Sequence, residues 1–227
     1  MNWWPWSASK PSAPLSRTAF VVLDLEMSGL NPAQDAILAL GAVRMTGGRI
    51  ELGSGYSALV RPACGLSAES VRVHQLTPAQ LACQPDIGAA LPAFLEFCGD
   101  AVLAGWHVGF DAAFLNRWVK RLGLPPLRNA FLDVLGLYLA IRGGHGSALL
   151  DGVPLKDATL YTVARALGIP PRGAHDALGD AFLTAQVLQR FLSILRSERP
   201  GEELSLATLL RLADPATAIR GAPVPAF

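Results

Sequence analysis

The chain has 227 residues, 51% of them hydrophobic and only 16% charged, with a formal net charge of +1. That composition excludes a disordered or solvating chain, and a chain of this length buries roughly 70% of its unfolded surface in one domain without disulfides or a structural metal. Near-neutral charge argues against a broad basic surface gripping a long duplex, but leaves room for a small site at a nucleic-acid end.

Residues 1–17 read as a tail, with Pro11 and Pro14 and a cluster of three tryptophans, Trp3, Trp4 and Trp6. The tryptophans either pack on the outer surface of the domain or anchor a partner or a membrane interface. The stretch has no basic start followed by an apolar core, so it is no secretory signal, and no apolar run in the chain approaches the roughly 18 residues of a membrane span. Strands are predicted over 20–25, 37–45 and 49–60. The second is interrupted by Gly41, and the turn signal Gly47-Gly48 joins it to the third. Short connections make these three an antiparallel meander.

Helical and strand patterns then alternate. A helical stretch begins at Thr77 with Pro78 in its first turn, and a second helix spans 85–97. A buried strand over 101–104 precedes a helix over 110–122 that Gly123 stops, and a short strand covers 129–134. A short helix over 159–167 ends at Gly168, and the longest helix runs over 176–195. Residues 213–227 are rich in Ala and Pro and are expected to be irregular. The domain is placed on 18–195, with 196–227 as a C-terminal extension. This order gives a mixed α/β sheet with helices on its faces. Cys64, Cys83 and Cys98 are odd in number and form no C-x-x-C pair, which argues against a disulfide framework or a cysteine zinc site and for a reducing cytoplasm.

The acids carry the chemistry. Asp24 and Glu26 lie two apart on the first strand and so share one face among apolar neighbours. Two like charges in partly dry surroundings are unfavourable unless a cation sits between them, and hard divalent ions with oxygen ligands meet that need. The alternative is that the pair lies at the solvated strand end and starts a turn toward Gly29. Asp111 follows the buried strand at the start of the next helix, either as a helix cap or as a functional acid at a strand's carboxyl end. His175 and Asp180 would diverge by about 140° inside one helix but can converge if His175 sits in the loop before it. Otherwise both are surface caps. Asp133 and Asp157 are read as caps or structural acceptors, and Asp176 as a favourable charge in a first helical turn.

Three motifs tie these residues together: Asp24-x-Glu26-x-Ser28-Gly29-Leu30, Gly109-Phe110-Asp111-x-x-Phe114-Leu115 and His175-x-Ala177-x-x-Asp180-Ala181. In order and spacing the chain resembles the DEDDh family of 3′→5′ exonucleases from about Thr18 to Leu195. Ile37-x-x-x-Gly41-Ala42-Val43, Val73-His74-Gln75-Leu76-Thr77 and the Leu160 to Pro170 region support the match. The chain departs from the family at Trp106-His107, where His-Asn is usual, at Ala39, where a polar group is frequent, and at Ser28, where threonine is usual. The Asp24-Leu25-Glu26-Met27 string is also similar to that of oligoribonucleases, which keeps RNA open as a substrate.

The resemblance implies a ribonuclease H-like α/β fold, an antiparallel meander followed by parallel strands with helices on both faces. It implies a two-metal site for Mg²⁺ or Mn²⁺, in which Asp24 binds both ions, Glu26 and Asp180 complete one position, and Asp111 serves the other directly or through water. It makes His175 the general base and nucleoside 5′-monophosphates the products, from the 3′ end of single-stranded DNA or RNA. The backbone at Met27, Ser28 and Gly29 would approach the terminal 3′ hydroxyl, Leu30 would wedge between the last two bases, and His74 would lie beside the terminal nucleotide. A polymerase or other protein partner is expected to add grip. The rival readings are a non-catalytic module that binds nucleic-acid ends beside a polymerase, and a hydrolase of small phosphodiesters.

Overall fold

The structure, a computed structural model, describes residues 14–63, 65–143, 150, 152–171 and 175–214. Trp3, Trp4, Trp6, Cys64 and residues 215–227 lie outside the described residues. The strands are β1 (Ala19–Met27), β2 (Ile37–Thr46), β3 (Arg49–Ile50), β4 (Tyr56–Leu59), β5 (Val102–Gly105) and β6 (Phe131–Asp133). The helices are α1 (Ala68–His74), α2 (Pro78–Leu81), α3 (Ile87–Cys98), α4 (Gly109–Arg121), α5 (Val134–Gly143), α6 (Leu160–Ala166), α7 (Ala177–Ser197) and α8 (Leu206–Ala213).

The sheet runs β3-β2-β1-β5-β6, with β4 also paired to β2. All pairings of β2 are antiparallel, whereas β1 to β5 and β5 to β6 are parallel. The expected strand over 49–60 is two short strands, because Ser54 Oγ donates to the Glu51 carbonyl and accepts from Arg44 N–H, closing a turn around Gly53.

β1 is the central strand, and its residues alternate between two cores. Phe20 and Val22 join the cluster built with α5, α6, α7 and α8, while Val21, Leu23 and Leu25 join the one built with α3 and α4. A strand covered on both faces reads as a continuous apolar run, which is what residues 19–23 are. Gly41 sits in the middle of β2 opposite Asp24. A Cβ there would lie 2.1 Å from the backbone of Ala177, so only glycine lets the start of α7 rest directly on the sheet.

Three helices fall outside the sequence-based elements. α1 is a seven-residue helix capped by Ser67, and α5 begins directly after β6, where Asp133 accepts the Leu135 N–H. α8 rests on α5: the Cβ that Gly136 lacks would meet the Ala213 carbonyl at 2.0 Å. Leu204, Leu206, Leu209 and Ala213 are buried in the same core as Leu15, and Leu15 N–H donates to the Leu204 carbonyl. Residues 14–17 and 204–213, read from sequence as tail and extension, thus pack on the domain.

Candidate active site

The site forms where β1 outruns its neighbour. The pairing of β1 with β5 ends at Val22 and Ala104, so the N–H of Leu25 has no strand to bond on that edge. Asp111, in the first turn of α4, fills the gap: its Oδ1 accepts that N–H at 3.0 Å. α4 has no side-chain cap, so the capping alternative for Asp111 gives way to a contact with the strand that carries Asp24 and Glu26. From the other side, the seat at Gly41 delivers α7, whose first turn holds Asp180. Asp176 caps that helix by accepting the Gly179 N–H, and His175 stands just ahead of the helix with φ of 61°. The loop position is the one in which His175 and Asp180 converge.

Glu26, Asp111 and Asp180 are 9%, 5% and 5% exposed, which is rare for carboxylates without a partner of opposite charge. Ligand atoms of Glu26, His175 and Asp180 all lie within 4.8 Å of one another. Asp24 stands outside that triplet but in electrostatic reach of Asp111, Glu26 and Asp180. Burial, then the charges of Asp111, Glu26, Asp180 and Asp176, hold Asp24 well above the usual carboxylate range. Burial, with Asp180 and Asp176, raises Glu26 to about 7. Burial raises Asp111 to about 8 in spite of the backbone N–H groups that favour its charged form. Asp180 is raised by burial too, against the hydrogen bonds it accepts. Acids so arranged either keep protons at neutral pH or hold a cation, whose charge inverts every one of these shifts.

Asp180 divides its two oxygens. Oδ2 accepts from the Tyr161 hydroxyl at 2.5 Å and from His175 N–H at 3.1 Å. Oδ1 is buried and has no hydrogen-bond partner among the described residues. An orphaned carboxylate oxygen next to Glu26 and His175 fits a divalent cation, which takes hard oxygen donors and tolerates an imidazole.

The loop after β1 carries Leu30, which is 58% exposed. Asp35 organises this loop: its Oδ2 accepts Asn31 N–H at 2.8 Å and its Oδ1 accepts the Ser28 hydroxyl at 3.3 Å. The Ser28 hydroxyl also accepts Ala36 N–H. The Asp35 carboxylate occupies the space where a Gly29 Cβ would be, at 2.5 Å, so the glycine answers to its own loop as well as to any ligand. His74, at the end of α1, is 2% exposed. Its Nδ1 accepts Leu76 N–H at 3.0 Å, which leaves a hydrogen on Nε2, and Nε2 is buried without a hydrogen-bond partner among the described residues. Burial, joined by the charge of His175, lowers its pKa and keeps this ring neutral.

Of the departures from the motif, Trp106 packs against the core beside Tyr138, at 6.3 Å between ring centroids. His107 takes a left-handed φ of 59°, its N–H donates to Asp133 Oδ1 at 3.0 Å and its ring meets Phe110 edge-on. The same Asp133 oxygen accepts the Leu135 N–H, the structural role expected for it. Tyr161 and Asp35 were missed by the motifs. Tyr161 has no local sequence signal, whereas Asn31 and Asp35 around Pro32 carry recognisable turn chemistry.

Residues 21–188 match the RNase_T family model, described as exonuclease. Over 177 residues, 78% of the chain, the sequence is 32% identical to a PolC-type DNA polymerase III of Thermotoga maritima, of which the match covers 12%. It is 34% identical over 176 residues to the DNA polymerase III subunit epsilon of Aquifex aeolicus, covering 78% of this chain and 81% of that subunit. E. coli exonuclease I in complex with a dT13 oligonucleotide superposes with a TM-score of 0.69 at 19% identity, over 80% of this chain and 42% of the other. That likeness is one of fold, the ribonuclease H-like mixed sheet with helices on both faces. The chain thus spans only a small part of the PolC-type polymerase it matches, but most of the epsilon subunit. With its motifs converging on one buried carboxylate cluster and the family match covering most of its length, the chain belongs to the RNase_T exonuclease family.

Proposed function

We propose that the chain is a metal-dependent exonuclease that releases nucleoside 5′-monophosphates from the 3′ end of single-stranded nucleic acid. The observation that carries this reading is the buried Oδ1 of Asp180, which has no hydrogen-bond partner among the described residues, within a cluster of four acids whose raised pKa values a bound cation would reverse. Asp24, Glu26, Asp111 and Asp180 would hold two divalent ions, Mg²⁺ or Mn²⁺. When bound, the ions supply an activated water and neutralise charge on the leaving 3′ oxygen. His175 takes the proton of the attacking water, from a position within 4.8 Å of ligand oxygens of Glu26 and Asp180. The backbone of Met27, Ser28 and Gly29 receives the terminal sugar, and Leu30 projects from the loop to separate the last two bases. The Nε2–H of His74 is a fixed donor for the terminal nucleotide. Contacts of this kind are tolerant of sequence.

Single-stranded DNA is the favoured polymer, supported by the dT13 complex of exonuclease I and by relatives that are polymerase III proteins. The same relatives support a polymerase as the partner, and the cysteine usage supports a reducing cytoplasm as the compartment. Among the described residues no helix is long and apolar enough to cross a membrane. The catalytic domain is placed on residues 18–195, clasped by 14–17 and 204–213.

The test uses 5′-labelled single-stranded DNA and RNA of one sequence, with Mg²⁺, Mn²⁺ or chelator. A metal-dependent ladder shortening from the 3′ end is expected, reduced by about a thousandfold or more in Asp24→Ala and in His175→Ala. The faster polymer names the substrate. No ladder from either polymer, or one that both variants leave intact, overturns the reading and favours the end-binding module.

A further inference from the structure

Tyr161 lies in the first turn of α6, outside all three motifs, yet it makes the closest hydrogen bond in the site. Its hydroxyl donates to Asp180 Oδ2 at 2.5 Å and accepts the backbone N–H of His175 at 3.1 Å. The same N–H also reaches Asp180 Oδ2 at 3.1 Å, so the three groups close a triangle. The Tyr161 ring stands edge-on to the His175 ring, with centroids 5.8 Å apart.

We infer that Tyr161 is a positioning residue for both the cation-binding carboxylate and the base. It fixes which oxygen of Asp180 faces protein and which is left over, and it holds His175 in a backbone conformation that the residue would not choose. This inference rests on the exonuclease reading above.

Three observations support it. First, His175 has φ of 61°, a left-handed conformation that is unfavourable for a non-glycine residue and persists only where surroundings over-determine it. The two hydrogen bonds to its N–H are what over-determine it. Second, a carboxylate rotates freely about its last bond unless one oxygen is pinned. Tyr161 and His175 pin Oδ2, and Oδ1 is consequently the oxygen that is buried and, among the described residues, left without a hydrogen-bond partner. Third, α6 is a firm base for such a clamp. A capping box between Thr159 and Thr162 closes its start, and Leu160, Val163 and Ala164 are buried in the main core. A site held from a rigid element keeps its geometry better than one held from a loop.

The discriminating variant is Tyr161→Phe, which removes the hydroxyl and keeps the ring; Tyr161→Leu removes both. Mn²⁺ binding is measured by calorimetry in the absence of nucleic acid, alongside kcat, KM for a single-stranded oligonucleotide, and Tm. Loss of an outer hydrogen bond to a metal ligand lowers affinity or rate by about 10–100-fold. Both variants are therefore expected to bind Mn²⁺ about tenfold more weakly and to lose about tenfold in kcat, with KM for the oligonucleotide roughly unchanged. Only Tyr161→Leu is expected to lower Tm appreciably. If Tyr161→Phe binds Mn²⁺ and turns over like the parent chain, the hydroxyl positions nothing and the inference is overturned. If the parent chain itself binds no Mn²⁺, and Asp24→Ala matches it in every assay, the exonuclease reading falls and this inference with it.

Discussion

The first five residues of β1 and its last four share a strand and little else. From Ala19 to Leu23 every residue is apolar and buried, with β2 along one edge and β5 paired to Phe20, Val21 and Val22 along the other. Beyond Val22 β5 no longer pairs with the strand, and from Asp24 onward a carboxylate from α4 stands in for it and two acids face α7 across apolar surroundings. One half gains free energy from burial. The other accumulates desolvated charge, and only the tight enclosure by α4 and α7 keeps it in place. Stability and chemistry are thus separated by a single residue step, which is how a site can be strained without the fold giving way.

The largest test of that separation is Gly41→Ala against Val22→Ala. Alanine at 41 collides with the backbone of Ala177, so α7 must shift at its first turn, where Asp180 rides. A destabilisation of about 3 kcal/mol is expected, with nuclease activity lost even in the fraction that folds. Val22→Ala removes buried methyl groups on the same face of β1 and should cost about 2 kcal/mol, leaving kcat of the folded protein intact. Chemical denaturation and single-turnover rates measure the two effects. Equal activity loss in both variants would break the comparison.

The next effect is on pH. Glu26 and Asp111 titrate near 7 and 8 in the folded chain, above their ordinary values of 4.5 and 3.8. The folded state therefore holds protons that the unfolded state has released. Without metal, the stability these groups give is fully present below about pH 4 and is lost as pH rises through 7 and 8, a change on the order of a few kcal/mol. Tm of the metal-free protein should fall across that window, and saturating Mg²⁺ or Mn²⁺ should flatten or reverse the slope. Asp24→Asn removes one of the opposing charges and should make the metal-free fall shallower. A metal-free Tm that rises from pH 5 to 8 would contradict this account of the cluster.

The smallest effect concerns the loop beyond the strand. Asp35→Ala leaves the carboxylates of the site untouched but releases Ser28 and Asn31, whose bonds present Leu30. KM for single-stranded oligonucleotides should rise by roughly three- to tenfold, as expected for two lost hydrogen bonds in an exposed loop, with little change in kcat. A fall in kcat at constant KM would move Asp35 into the chemistry instead.

Much of this was legible in the chain itself. Alternation on β1 put Asp24 and Glu26 on one face, the Pro- and Gly-rich approach to His175 allowed it to meet Asp180, and Gly41 announced a break in an apolar strand. The residues that escaped did so for physical reasons. Tyr161 acts across 19 residues through a hydroxyl, and nothing local marks a phenol that will find a carboxylate. α5 carries apolar residues on nearly every side, so it shows no helical period until it is seen to lie among α7, α8 and the sheet. α8 is different, because Ser205 as cap and Leu206, Leu209, Leu210 and Ala213 on one stripe were readable signals.

The bond between Leu15 N–H and the Leu204 carbonyl joins segments from opposite ends of the described chain. In kinetic language it is a contact of very high order. Closing a loop of that length outright would cost about 5 kcal/mol of chain entropy, so the clasp forms only after the sheet has brought its two sides together. It is therefore among the last parts of the molecule to fold, at the end of α7 away from Asp180.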